Sequence, residues 1–411
     1  MASGVSRRRV SRRSFLGGSL GAATLTSLPA SGVFAAGSDL IRVGVVGCGG
    51  RGTGAALQAV AADPGVVVTA LGDLFADHLA ASAEILASQL GGHFICPVAR
   101  RFTGAAAGFD VIASDVDMVI LATPPHQRPA HVDAAIHAGR HVYCETPAAV
   151  DAAGARSILA LADEARRRGL SFAAGLHSRH DERLRQTIAG VLGGRIGQPV
   201  NGVATARLGL PWSRGPLPGW SAAEAAARNW IADPFTSGGS FVEQHIHAID
   251  RAMWALGDVA PIAAVPVDTP LVLPPHPPGA ASSATAVRFV FAGGVTLDAG
   301  IERCEGTTTE AVERMIGTRG EADLRRPAVS GRPLRPASNR PLDSHAACMA
   351  ALVHALRSGG RVDDLATLCR STMAAVLGRE AVKAAKPLAW SDLWPATSES
   401  LPLRPLQSDM A

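Results

Sequence analysis

Acids and an imidazole recur at helical spacing behind a glycine pair in the run Gly238-Gly239-Ser240-Phe241-Val242-Glu243-Gln244-His245-Ile246-His247-Ala248-Ile249-Asp250. On a helix Glu243, His247 and Asp250 share one face, so a carboxylate can orient an imidazole that takes a proton from a hydroxyl group. His247 is the better base, because an unperturbed imidazole titrates near neutrality. Two plainer readings stand beside this one. His247 can be a satisfied core histidine, and on a strand Glu243, His245 and His247 would face one way and could bind zinc. No cysteine or distant histidine adds a ligand at clear spacing, so no metal is expected.

A second set of residues suits a dinucleotide. The apolar run Leu40 to Val46 leads into Gly47-Cys48-Gly49-Gly50-Arg51-Gly52 and then the helix-like stretch Ala55 to Ala62. G-x-G-x-x-G at a strand-to-helix turn permits a tight turn and close approach of a pyrophosphate, whose charge meets free N–H groups and the positive end of the helix. The next apolar run, Val66 to Leu71, ends at Gly72-Asp73, where the motif expects an acid for the ribose hydroxyls. Asp73 would repel a 2′-phosphate, and no Arg or Lys immediately follows it. NAD is therefore expected in preference to NADP.

Further along, the buried-strand pattern Asp117 to Ala122 runs into Thr123-Pro124-Pro125-His126, a helical stretch with His131, and His141-Val142-Tyr143-Cys144-Glu145-Thr146-Pro147. This order resembles the Gfo/Idh/MocA family of nicotinamide-dependent oxidoreductases. The resemblance implies that Thr123, Pro124, His131 and Glu145 line the cofactor. It also implies a catalytic Glu-Lys-Pro triplet whose lysine is Thr146 in this chain. The chain holds two lysines, Lys383 and Lys386, both in a late helical segment. Its one tyrosine, Tyr143, lies three residues before Thr146 on the same strand and so on the opposite face.

The same resemblance maps the family's acid onto Glu243 and its catalytic histidine onto His247. Arg179 and His177, in Leu176-His177-Ser178-Arg179-His180, become candidate substrate contacts, as do His245 and the Trp230 of Arg228-Asn229-Trp230. The implied activity is hydride transfer between NAD and a sugar or sugar derivative. An NAD-assisted glycoside hydrolase or epimerase, and a sugar-binding protein that has lost catalysis with the lysine, are the alternatives.

These residues need two domains to position them, and 411 residues allow two. The expected fold is α/β: a doubly wound parallel Rossmann sheet over residues 37–168, then an α+β domain over 169–411 with an open, mostly antiparallel sheet. Leu170 to Gly175 reads as the last strand of the first sheet, Val287 to Asp298 as strand, and Leu342 to Leu356 and Leu365 to Lys386 as helices. Pro274 to Pro278 and Arg325 to Pro336 read as loops. By the family resemblance the late helix packs back between the domains and the second sheet often pairs subunits, so a homo-oligomer is expected.

The amino terminus has its own chemistry. Five arginines and no acid precede Asp39, and Ser11-Arg12-Arg13-Ser14-Phe15-Leu16 leads into a Gly/Ala/Leu run ending near Val33-Phe34-Ala35-Ala36. Residues 1–36 resemble a twin-arginine signal with a small-residue cleavage site, which implies the export machinery as a partner and a periplasmic location. The run is too short and glycine-rich for a stable membrane anchor. Without those five arginines the formal charge of +4 becomes −1, so no nucleic-acid partner is expected. Six scattered cysteines without a C-x-x-C pair read as reduced core residues.

Overall fold

The computed structural model describes residues 39–215, 217–267, 282–330, 332–333 and 343–394. The signal-like residues 1–36, the Pro274 to Pro278 loop and most of the Gly331 to Pro336 stretch lie outside the described residues.

The apolar runs of the first half form one parallel sheet. Its strands are β1 (Ile41–Val46), β2 (Val66–Asp73), β3 (Arg101–Thr103), β4 (Met118–Leu121), β5 (His141–Cys144) and β6 (Phe172–Ala174). Their order is β3-β2-β1-β4-β5-β6, with every neighbouring pair parallel. Continuous rather than alternating apolar runs follow from burial on both faces. Ile41, Val43, Val45, Met118 and Ile120 share one core with Leu352 and Val353 of the late helix Ser344–Ser358. Val119, Leu121 and Val142 face the other way, against Ile136 and Ile158. Each such buried side chain contributes about 1.5–3 kcal/mol relative to an exposed one, so the late helix is integral to the first domain. The sheet extends to Ala174, past the boundary placed at residue 168. β3, three residues long, carries no periodic signal and was not anticipated.

The order of strands reverses between β1 and β4. In a doubly wound sheet the crevice beyond the carboxyl ends of those two strands is where a ligand sits. Gly47 and Thr123 follow these two strands.

Among the described residues the second sheet has nine strands: β7 (Pro199–Leu208), β8 (Ala263–Pro266), β9 (Ser282–Val290), β10 (Thr296–Cys304), β11 (Glu310–Gly317), β12 (Gly320–Asp323), β13 (Ala328–Val329), β14 (Arg332–Pro333) and β15 (Leu388–Ala389). The order is β14-β13-β12-β11-β7-β10-β9-β8-β15, with β7 and β10 parallel and the other pairs antiparallel. Val287 to Asp298 is thus not one strand. It spans a hairpin, because Gly293 and Gly294 take φ of 77° and 80° and turn the chain between β9 and β10. Ala328 and Val329 likewise pair as β13 inside a stretch expected to be loop.

Helices Glu182–Leu192, Ile246–Ala255 and Leu365–Ala384 cover one face of this sheet, where Ile188, Ile249, Met253 and Leu377 pack with Phe289, Leu297, Ile301 and Met315. On the opposite face Arg207 pairs with Glu302 and Arg288 with Asp298. The Leu365–Ala384 helix joins the domains: Leu368 and Cys369 lie in the first core, Ala374 to Leu377 in the second. Its Thr372 hydroxyl accepts a hydrogen bond from the Ala148 amide at 2.9 Å, just beyond Thr146.

Candidate active site

At the carboxyl end of β1 the glycines divide into two kinds. Gly47 has φ of 93°, and a side chain there would come within 2.8 Å of the Ala122 carbonyl; a side chain at Gly52 would overlap the Gly47 oxygen. These two are demanded by the turn and by the approach of helix Gly50–Ala62 to the strand. A Cβ at Gly49 or Gly50 meets nothing within 4 Å, and both residues border the cleft. Their backbone is therefore open to a phosphate-bearing ligand. Asp73, last in β2, accepts hydrogen bonds from the amides of Cys48 at 2.7 Å and Phe75 at 2.8 Å, which fixes its carboxylate beside the turn.

The cleft encloses a cavity of about 660 Å³ lined by residues of both domains, among them Arg51, Asp73, Thr123, Pro124, His131 and Trp230. This volume falls among the ~300–1,000 Å³ typical of small-molecule sites. Bare glycine backbone, a fixed ribose-side carboxylate and the switch-point crevice together fit a dinucleotide.

At the far end of the cleft Thr123 and His131 meet, hydroxyl to Nδ1, at 3.3 Å. Burial pushes His131 down to about 4, so its ring is neutral. Arg128, absent from the expectations, holds this end together. Its Nε donates to the Thr123 carbonyl at 2.9 Å, and its Nη1 donates to the carbonyls of Glu145, at 3.0 Å, and Pro147. It therefore grips the backbone on both sides of Thr146. Only the Arg-Pro start of helix Arg128–His137 marks it in the sequence, and that signals a helix end rather than a role. The buried Glu145 carboxylate accepts from Arg51 Nε at 2.7 Å. Gly175, just past β6, makes room for it, since a side chain there would overlap the carboxylate.

Across from this end, Thr146 Oγ1 lies 3.3 Å from Nε2 of His247. The expected single helix before His247 is instead two short pieces, Ser240–Glu243 and Ile246–Ala255, separated by a turn at Gln244 and His245. Glu243 and His247 consequently do not meet: Glu243 Oε2 and His247 Nδ1 are both buried without a hydrogen-bond partner. Burial raises the Glu243 carboxyl, opposed by the nearby Arg128 and Arg303 guanidinium groups. Asp250, the third member of the expected face, is occupied elsewhere. It accepts from Ser371 at 2.7 Å and from Arg179 Nε and Nη2 at 3.0 and 2.8 Å.

That pairing also corrects the role expected of Arg179. Its guanidinium is spent on Asp250 and Asp258 and lies over the Trp254 ring at 5.2 Å, so it ties the start of the second domain to the Ile246–Ala255 helix and is not free to meet a substrate. His245 is corrected likewise. Its Nε2 lies 2.7 Å from the Ala204 carbonyl in the second core, because the turn at Gln244 swings it towards β7. Trp230 lines the nucleotide cleft and packs edge-on to Trp212. Among the described residues no cluster of His, Cys, Asp and Glu is arranged to bind a metal ion.

His177 does reach the site. Its ring centroid is 5.2 Å from that of His247, its Nδ1 lies 2.7 Å from Ser344 Oγ, and it stacks on His345 at 3.7 Å. Ser344 and His345, which sequence reading missed, open the Ser344–Ser358 helix; the Asp343 cap marks that helix start but not its destination. Burial, aided by Arg251 and His345, pushes His247 down to about 3. Burial, with His247 next, likewise takes His177 to about 3. Arg251 is itself held by Glu313 at 2.6 and 2.7 Å. Lys383 and Lys386 are exposed whereas Thr146 is buried, and Tyr143 is buried in the first core.

The comparisons with known proteins agree with this arrangement in the first domain. Residues 41–173 match the Gfo/Idh/MocA oxidoreductase family, described by its NAD-binding Rossmann fold. That stretch is accordingly an NAD-binding Rossmann domain. A glycosyl hydrolase family 109 protein of Streptomyces coelicolor is 35% identical over 122 residues, 29% of this chain and 25% of that protein. A 1,5-anhydro-D-fructose reductase of Ensifer adhaerens is 29% identical over 144 residues, 35% of this chain and 39% of that protein. The chain thus spans about a quarter to two-fifths of the curated relatives it matches. Among solved structures, the aldose-aldose oxidoreductase of Caulobacter crescentus, complexed with glycerol, shares the fold with a TM-score of 0.62 at 17% identity, covering 85% of this chain and 99% of that one.

Proposed function

We propose that this protein is a periplasmic, NAD-dependent sugar oxidoreductase with a tightly held cofactor recycled in place. The observation that carries the reading is the meeting of Thr146, on the loop after β5, with His247 of the second domain. NAD, when bound, accepts or returns a hydride. The protein's part is binding, orientation and the handling of one proton.

Burial keeps His247 in the neutral form that can accept the proton of a sugar hydroxyl, and at the same time weakens it as a base, so the proton moves only as the hydride leaves. Thr146 can donate to or accept from that hydroxyl or the imidazole, but it carries no charge. Losing one positioned acid-base group typically costs ~10²–10⁴ in rate. Orientation of two reactants can supply more than that, so a threonine here is compatible with turnover. His177 lies beside His247, and the orphaned, buried Glu243 oxygen suits a sugar hydroxyl donor.

Residues 1–36 support export by the twin-arginine machinery. Soluble nicotinamide is cytosolic, so an exported enzyme must carry its cofactor folded inside it, with roughly nanomolar affinity, about −12 kcal/mol. Recycling in place favours paired oxidation and reduction of two sugars, and the fold shared with an aldose-aldose oxidoreductase is in keeping with this. The family 109 relative favours a second reading, in which transient oxidation labilises a glycosidic bond. A homo-oligomer formed through the second sheet completes the proposal.

The test is to purify the folded, exported protein, identify bound nicotinamide, and follow its near-ultraviolet absorbance as sugars and glycosides are added. A stable change with one sugar, reversed by another, is expected. Product release without net absorbance change would support the hydrolase reading. Silence with every compound would leave a sugar-binding protein without catalysis.

A further inference from the structure

The outer wall of the nucleotide cleft belongs to the second domain. After β7 ends at Leu208 the chain leaves its sheet and crosses to the first domain, returning at Gly238. On the way Trp212, Arg214, Arg228 and Trp230 line the same cavity as Gly49 and Asp73. The crossing segment is tied to itself. Asn229 Oδ1 accepts from the Arg214 amide at 2.6 Å, and Asn229 Nδ2 donates to the Arg214 carbonyl at 3.0 Å. Ser221 caps the short helix Ala222–Arg228 through the Glu224 amide at 3.1 Å.

Arg228 makes the most extensive of the contacts that fasten this segment to the nucleotide-binding domain, beside a hydrogen bond between His126 Nδ1 and the Thr236 carbonyl at 3.2 Å. Arg228 Nη1 and Nη2 each donate to an oxygen of Asp77 at 2.9 Å. Its guanidinium lies over Phe75 at 4.0 Å and over Trp220 at 4.5 Å, and its Nε donates to Glu224 at 2.9 Å. The Arg228 side chain is only 7% exposed. Phe75 and Asp77 follow Asp73 by two and four residues, so the fastening point adjoins the ribose-side carboxylate. Arg214 makes a second contact nearby, with His78.

We infer that residues 209–215 and 217–237 form a strap that retains the nucleotide, with Arg228 as its latch: NAD enters and leaves when the Arg228–Asp77 contact parts. Planar stacking between two aromatic rings together with a bidentate carboxylate suits arginine and not lysine. Asp77 is well exposed, so water competes for it, and the latch opens thermally instead of sealing the site. Arg228 acts on the cofactor by positioning the strap. The inference deepens the reading of a tightly held cofactor and rests on the NAD site alone, not on any sugar.

The experiment loads the full exported protein with NADH, adds excess NAD, and follows the loss of bound-NADH fluorescence. Arg228→Met, which loses both the stacking and the ion pair, is expected to speed release by about tenfold, and Asp77→Asn, which loses the ion pair alone, by roughly two- to fivefold. Asp77→Asn alters an exposed acid and keeps the test open should Arg228→Met fold poorly. Arg228→Lys is expected to fall between wild type and Arg228→Met. A structural role alone would lower the melting temperature and leave release unchanged; folded single variants with wild-type release rates overturn the latch. A wild-type protein that takes up no NADH is seen before any variant is made, and it removes the NAD site and the latch with it.

Discussion

Thr146 Oγ1 and His247 Nε2 face each other at 3.3 Å across the domain junction. The contact points the imidazole's Nε2 at the loop after β5, whose backbone Arg128 grips on both sides. A hydroxyl in this place can polarise or position, whereas an ammonium group would add charge next to a ring already kept neutral by burial and by Arg251.

Thr146→Val keeps the shape and removes the hydroxyl. One hydrogen bond of about 0.5–1.5 kcal/mol is lost, so hydride transfer in a single turnover should slow by roughly three- to tenfold with NADH binding unchanged. A variant with the wild-type rate would show that the hydroxyl plays no part.

The glycine turn separates fold from function. Gly52→Ala should destabilise the protein by about 1–3 kcal/mol, because the new methyl group meets the Gly47 oxygen. Gly49→Ala meets no protein atom, so the urea midpoint should hold while NADH affinity falls. Equal loss of stability in both variants would contradict the distinction.

Acid should weaken the fold in a defined window. His131, His180 and His245 are held near about 4, and His177 and His247 near about 3, chiefly by burial. Their unfolded counterparts titrate near ~6.5. Below that value the unfolded chain binds protons that the folded one refuses, so stability is full above it and falls as the pH drops towards 4. Asp364, raised by burial to about 6, runs the other way and offsets part of this. Urea midpoints measured across this range should show net proton uptake on unfolding. The rate of hydride transfer should not fall as the pH passes ~6.5, because His247 remains neutral there.

Arg179 serves stability. Asp250 is 1% exposed, and Arg179→Ala leaves it without its guanidinium partner. A loss of about 3–5 kcal/mol is expected, read as a lowered melting temperature. An unchanged melting temperature with a raised sugar KM would restore the substrate-contact role.

What the sequence disclosed and what it hid follow from the range of the forces involved. The first domain was legible because strands buried on both faces read as unbroken apolar runs, and because Gly47 and Gly52 answer to local sterics. The stretch from Gly238 to Asp250 misled. Gly238 and Gly239 adopt φ of 83° and 77°, and the turn at Gln244 breaks the 3.6-residue period that put Glu243 over His247. Arg128 could not be read from spacing, since its acceptors lie on a different strand end. Arg179 finds its acids 71 and 79 residues away, and His345 reaches His177 from a helix that docks on the first sheet.

If His247 acts on a sugar beside a nucleotide bound at the glycine turn, hydride transfer and not nucleotide binding must depend on its imidazole. The direct measurement compares wild type and His247→Gln, both loaded with NAD, for reduction of the bound nicotinamide on addition of a sugar that the wild type oxidises. Equal NAD content and a rate lower by ~10²–10⁴ in the variant is the predicted result. Reduction at the wild-type rate in a folded, NAD-loaded variant would contradict it.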